Sequence, residues 1–274
     1  MQNNSPKISV LMTVYNAERF LGEAIESVLN QTFKDFELVI LDDCSVDSSW
    51  QIIQKYAQQD ERIVAIKNDT NLGGCENLNK GLKLLRGVYM ARHDNDDWSF
   101  PDRLEKQFNY LEAHPEVGVV GGAIEIIDVA GKTIGKRTYN ISDAEIRGKI
   151  FRYSPFAHPL VMIRKSALDK AGCFYDPVFA PADDYDMWFR IGKVAKLANL
   201  PDVLLKYRMV PGSITAGSTK KMEVTTLRVR HKYGKDDFYR FGWFDRMYTY
   251  CHKCTINLLS SRLKIYLYNI FRNE

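Results

Sequence analysis

Four short runs rich in β-branched and other apolar residues, Ile8 to Thr13, Phe36 to Leu41, Arg62 to Ile66 and Val88 to Ala91, alternate with segments of helical spacing. Such runs read as buried strands. Between the first two, Phe20, Leu21, Ala24, Ile25, Val28 and Leu29 recur on one helical face, and Asn16 reads as the N-cap. A second helix carries Trp50, Ile53 and Tyr56; a third, after a turn at Asn71 to Gly74, carries Leu78, Leu82 and Leu85. The β-α-β-α-β-α-β order predicts an α/β protein with a mostly parallel central sheet and helices on its faces. Ligands of an open α/β sheet sit beyond the carboxyl ends of its strands. Each such end is polar here: Thr13 to Asn16, Asp42-Asp43, Asn68-Asp69 and His93 to Asp97.

The last of these ends reads D-N-D-D, Asp94 to Asp97, three carboxylates in four residues. Capping the next helix needs one. Crowded carboxylates repel unless a cation joins them. Oxygen ligands suit Mg²⁺ or Mn²⁺, which bind one or two carboxylates together with substrate phosphates. Neither G-x-G-x-x-G nor G-x-x-x-x-G-K-[ST] occurs. A diphosphate would therefore be held through metal, which argues against a dinucleotide dehydrogenase and a P-loop NTPase. A second acidic cluster, Asp183, Asp184 and Asp186 in "ADDYDMW", opens another helix; on residues alone it reads equally as dipole-complementing acids or as chemistry.

The second half is less regular. Val117 to Asp128, Pro159 to Arg164 and Val203 to Tyr207 read as strands, Asp183 to Ala195 and Lys220 to Tyr233 as helices. A net charge of +4 gives no argument for nucleic acid, which is not an expected partner. No apolar run reaches the ~20 residues of a membrane span, and the amino-terminal stretch lacks a signal-peptide pattern. Five scattered cysteines suggest a reducing, cytoplasmic compartment. Cys251 and Cys254 form a C-x-x-C with no second pair to complete a zinc site, and read as ordinary thiols.

The segments "PKISVLMTVYNAERFLGEAIESVLNQTFKDFELVILDDCSVDSS", "NDTNLGGCENLNKGLKLLRGVYMARHDNDDWSFPDRLEKQ", "FAPADDYDMWFRI" and "YRMVPGSIT" occur in the order found in the family 2 glycosyltransferases. The chain resembles that family, inverting enzymes of the GT-A (Rossmann-like) fold, in its bacterial surface-polysaccharide type. The similarity runs from about Lys7 to Thr215. It implies a glycosyltransferase domain over 1–217, with a nucleotide-binding half of about 1–98 and an acceptor half of about 99–217. A helical extension follows over 218–274.

By motif, the resemblance makes Thr13 and Tyr15 neighbours of the nucleotide base and Asp43 an acceptor of its hydrogen bond, with uracil as the expected base. Asp42 shapes the turn. Asn71, Gly73 and Asn79 match the N-x-G…N-x-G segment near the nucleotide. Asp94-Asn95-Asp96 is the D-x-D motif: Asp96 the direct metal ligand, Asp94 towards ribose or metal, with Mn²⁺ or Mg²⁺ as cofactor. Asp97 supports them or caps the helix after Pro101. Asp184 is the catalytic base, and Asp183 stands where the family has Glu more often. Asp183, His158, Arg208 and Asp97 are candidates for acceptor or diphosphate contacts, and Ser213 is a weaker one. Where the family often has Y-R-x-H, Val210 replaces the histidine, which thins the protein's hold on metal.

The activity implied is inverting, metal-assisted transfer of a sugar, most naturally from UDP, to a hydroxyl of a glycan or lipid-linked saccharide. An inverting transfer needs one base and no covalent intermediate. A sugar nucleotidyltransferase would want a Gly- and Arg/Lys-rich loop after the first strand, which "TVYNAERF" lacks; a non-catalytic nucleotide-sugar or glycan-binding module would not need Asp184. From Phe238 to Arg272 aromatic residues interleave with Arg and Lys. That pattern suits packing onto the domain, a homodimer contact, or a peripheral position on the inner face of the cell membrane.

Overall fold

The computed structural model describes residues 5–210 and 219–256. Strands β1 (Ile8–Val14), β2 (Phe36–Asp42), β3 (Ile63–Lys67) and β4 (Tyr89–Asp94) are linked through helices α1 (Leu21–Leu29), α2 (Ser49–Gln59) and α3 (Gly74–Leu82). They pair in parallel in the spatial order β3-β2-β1-β4. The chain continues through β5 (Trp98–Ser99), α4 (Arg103–Ala113), β6 (Val117–Ile127), β7 (Thr133–Arg137) and α5 (Asp143–Lys149). It ends with β8 (Met162–Arg164), α6 (Lys165–Lys170), α7 (Asp183–Gly192), β9 (Lys196–Arg208), α8 (Thr219–Tyr233) and α9 (Trp243–Thr255). The sheet extends through β8, antiparallel to both β4 and β6, and through β9, parallel to β6. It is a mostly parallel α/β sheet with added antiparallel strands.

Strand periodicity sends alternate side chains to opposite faces. In β1, Ile8, Val10 and Met12 join the layer of α1, α2 and α4, while Leu11 joins the layer of α3, α6 and α7. Both faces are covered, which is why β2 is buried along its whole length. A buried acid in the middle of β2, Glu37, accepts from Ser9 Oγ at 2.5 Å and from the Arg86 backbone N–H at 2.9 Å. Gly87 lies so close to β1 that a Cβ there would sit 2.6 Å from the Ser9 nitrogen.

Three expectations change. Asn16 does not cap α1, which begins at Leu21; it holds a left-handed conformation with φ 49°. Its side-chain oxygen instead accepts from the Val46 N–H at 2.9 Å, tying the first loop to the second. The stretch Pro159 to Arg164 divides into a 3₁₀ turn at His158–Leu160 and the short β8. The last strand is thirteen residues, not five, because β9 continues through Pro201-Asp202. The register against β6 shifts there, from Gly121↔Asn199 to Ala123↔Val203, so the proline sits in a bulge where its missing N–H is tolerated.

Candidate active site

Thr13 and Asp94 are register partners at the carboxyl ends of β1 and β4. The chain then turns through Asn95, Asp96 and Asp97 into β5. Asn95 Nδ2 donates to the Thr13 carbonyl at 2.8 Å and pins the turn to β1. Three buried arginines surround the acids. Arg92 pairs with Asp94 at 2.6 Å and donates to the Leu11 carbonyl at 3.0 Å and to Thr13 Oγ1 at 3.2 Å. Arg103 donates to the Arg92 carbonyl at 2.6 Å. Arg208 donates from its backbone N–H to Asp97 Oδ1 and from Nε to the Asp96 carbonyl, each at 2.9 Å, and from Nη2 to Glu23 at 2.7 Å. Its guanidinium also lies 4.3 Å from the Phe20 ring centre.

These contacts define two local roles. The Arg208 guanidinium braces the acidic turn through the Asp96 carbonyl and Glu23. Asp97 does not cap the helix after Pro101, whose N-cap is Asp102; it is buried under β9, with Oδ2 lacking a partner. Burial, then Asp94 and Asp96, pushes Asp97 well above the usual carboxylate range. Burial, then Asp94, pushes Asp96 up to about 6.

That mutual repulsion is what a divalent cation relieves, so Asp94 and Asp96 fit a hard metal ion. Among the described residues no three His, Cys, Asp or Glu side chains converge into a metal cage. Two carboxylates completed by phosphate oxygens is the arrangement Mg²⁺ and Mn²⁺ favour.

On the β2 side, Asp43 accepts from Asn68 Nδ2 at 2.8 Å and from the N–H groups of Leu72 and Gly73 at 2.9 Å. It thereby fixes the loop into α3, where Gly73 has φ 81°. Asp42 Oδ2 accepts from the Ser45 N–H at 3.1 Å, shaping the turn as the sequence suggests. Asn71 is exposed and accepts from the Gly73 N–H at 3.1 Å. Tyr15 projects half exposed beyond β1. Asn79 has another job: its amide donates to the Tyr175 carbonyl at 2.8 Å and accepts from the Tyr175 N–H at 2.7 Å. It clamps the backbone at Tyr175.

The facing wall is the first turn of α7. Asp184 Oδ1 accepts from the Tyr185 N–H at 2.7 Å. Burial, Asp183 and the charge of Asp94 push its carboxyl up to about 7. Burial raises Asp183 as well, with the Cys75 thiol beside it. His158 Nε2 bonds the Tyr175 hydroxyl at 2.9 Å, and its ring packs 6.1 Å from Trp188. Burial and Arg92 hold its pKa well below the ordinary histidine value, so it is neutral. Two residues after Asp184, Asp186 is fully buried and accepts from Arg190 Nε at 2.7 Å, Lys232 Nζ at 2.8 Å and the Tyr233 hydroxyl at 2.9 Å.

The structure thus brings together Thr13, Asp94, Asp96 and Asp184, with Tyr15, Asp43 and Asn71 along the β2 side. Val210 is partly buried at the end of the described stretch; Ser213 lies outside the described residues. Sequence reasoning missed Arg92, Arg103 and the Asp186 anchor. Arg92 had a signal, a charged residue inside an apolar strand run; the others had none short of the fold.

A mostly parallel sheet with an acidic turn at its strand ends and the acids Asp183 and Asp184 opening α7 is the arrangement that the resemblance to GT-A glycosyltransferases implies. Residues 9–172 match the family described as Glycosyl transferase family 2. Over 203 residues the chain is 35% identical to the amylovoran biosynthesis glycosyltransferase AmsE of Erwinia amylovora, covering 73% of this chain and 75% of that one. Among solved structures it is similar to S. aureus TarS 1-349 in complex with UDP-GlcNAc, with a TM-score of 0.69, 20% identity, and coverage of 84% of this chain and 67% of that one. It spans only 40% of the longer TarS chain. The mannosyltransferase PcManGT from Pyrobaculum calidifontis, in complex with GDP-Man and Mn²⁺, has a TM-score of 0.66 at 17% identity, covering 93% of this chain and 70% of that one. The chain belongs to glycosyl transferase family 2.

Proposed function

We propose that the protein transfers a sugar from a UDP-sugar to a hydroxyl of a glycan or lipid-linked saccharide, with inversion, in the building of a cell-surface polysaccharide. The observation that carries this reading is Asp184. It is a carboxyl held near neutral pH, close enough to Asp94 to feel its charge, and free to take a proton. In the reaction the acceptor oxygen forms a bond to the anomeric carbon as the bond from that carbon to the diphosphate breaks. The hydroxyl proton passes to Asp184, and the bonding pair leaves with the diphosphate. Asp94 and Asp96 would hold a Mn²⁺ or Mg²⁺ ion, which supplies Lewis-acid stabilisation of the departing diphosphate. Tyr15 offers its exposed ring to the base, and the Asp43-held loop forms the edge of the nucleotide site.

TarS is described with UDP-GlcNAc and PcManGT with GDP-Man and Mn²⁺, which supports a nucleotide-sugar donor and a metal; AmsE is named for amylovoran biosynthesis, which supports the pathway class. The test is donor turnover across UDP-, GDP- and dTDP-sugars, with the anomeric configuration of the product read by NMR. Asp184→Asn is expected to lower turnover by ~10²–10⁴-fold while keeping UDP affinity. A variant with undiminished turnover would remove Asp184 as the base.

A further inference from the structure

We propose that the outward face of α9, with the loop before it, docks the protein on an anionic phospholipid bilayer. The helix has two unlike faces. Its inner face is anchored: Asp245 is buried against Arg152 at 2.9 Å, and His252 lies 3.0 Å from Arg230. Its outer face carries Trp243, Met247, Tyr250 and Cys254 at helical spacing, with Trp243 75% and Tyr250 69% exposed. Two more aromatics, Phe238 and Phe244, are exposed beside this stripe. A patch of large apolar groups left in water marks an interaction surface. Trp and Tyr, with an apolar body and a polar edge, suit the level of lipid headgroups.

Charge selects the occupant. Arg246 and Lys253, flanking the stripe on α9, and Arg240 in the loop before it are exposed. From 219 to 274 the sequence holds twelve Lys and Arg against five Asp and Glu, a net +7 in a chain whose total is +4. The catalytic portion is therefore net negative and the extension carries the positive charge. A second copy on a two-fold axis would set Arg246 and Lys253 against their own likeness, whereas anionic lipid complements them. Among the described residues no helix is long and apolar enough to cross a membrane, so the contact is a surface one. Through Lys232 and Tyr233 on Asp186, α8 ties this region to the helix that bears Asp184, which gives the docked face a fixed setting relative to the cleft.

The test is co-sedimentation of the full chain with phosphatidylcholine vesicles and with phosphatidylcholine–phosphatidylglycerol vesicles. Binding is expected only to the anionic vesicles and is expected to weaken as salt rises. Arg246→Glu with Lys253→Glu is expected to lower partitioning ~30-fold or more, and Trp243→Ala with Tyr250→Ala ~10-fold or more. UDP binding should be unchanged in each, which reports intact folding. Three results would overturn the proposal: no binding of the wild type to anionic vesicles; equal binding by both double variants; or a wild-type dimer in solution that Trp243→Glu converts to monomer.

Discussion

The proposed base, Asp184, bears on both the reaction and the stability of the fold through one raised carboxyl. A base works only when deprotonated, so kcat/KM is expected to rise about tenfold per pH unit below about 7 and to level off above it. Asp183→Asn removes a neighbouring negative charge that helps hold that value up, and should move the rising limb to lower pH. The same group bears on stability with the opposite preference. Its folded pKa is raised, so the stability linked to it is present below the unfolded value of ~3.9 and is lost as pH rises towards about 7. Asp184→Asn should therefore melt higher than wild type above neutrality, by up to about 4 kcal/mol from the shift, with the difference fading by about pH 4. Thermal denaturation across pH reads this directly; equal stabilities at pH 8 would contradict it.

At the scale of elements, the acidic turn is set by strands and helices far apart in sequence. Arg92 on β4, Arg103 on α4 and Arg208 at the end of β9 bring three cations against Asp94, Asp96 and Asp97. The α7 helix is fixed in a similar way from α8. Tyr233→Phe removes one hydrogen bond to the buried Asp186 and should cost ~1.5–3 kcal/mol, measured by denaturant unfolding, with a smaller loss in UDP affinity than in turnover. Gly87→Ala forces a Cβ against β1 and is expected to destabilise by ~1–3 kcal/mol.

The first four strands and their helices were legible because each apolar run is short, continuous and flanked by polar residues. Asp94, Asp96 and Asp184 were legible as candidates because they stand at strand and helix ends. Asn79, Arg208 and β9 were not. Asn79 bonds Tyr175, ninety-six residues on; Arg208 bonds Asp96, 112 residues back. The strand reads only from Val203 because Pro201 cannot donate to a ladder, and the bulge that accommodates it shows only in the register against β6.

Over the whole molecule, β1, β2 and β4 end on the same side of a parallel sheet, and α8 of the carboxyl-terminal region is bonded to α7 through Lys232 and Tyr233 on Asp186. In the proposed reaction Asp94 and Asp96 join a diphosphate through a metal ion, with Asp184 as the base. Calorimetric titration of UDP, with and without Mn²⁺, into wild type, Asp96→Ala and Asp184→Asn tests it most directly. The expected result is metal-dependent UDP binding in the wild type and in Asp184→Asn, and its loss in Asp96→Ala. UDP affinity that is indifferent to Mn²⁺ and unchanged in Asp96→Ala would contradict it.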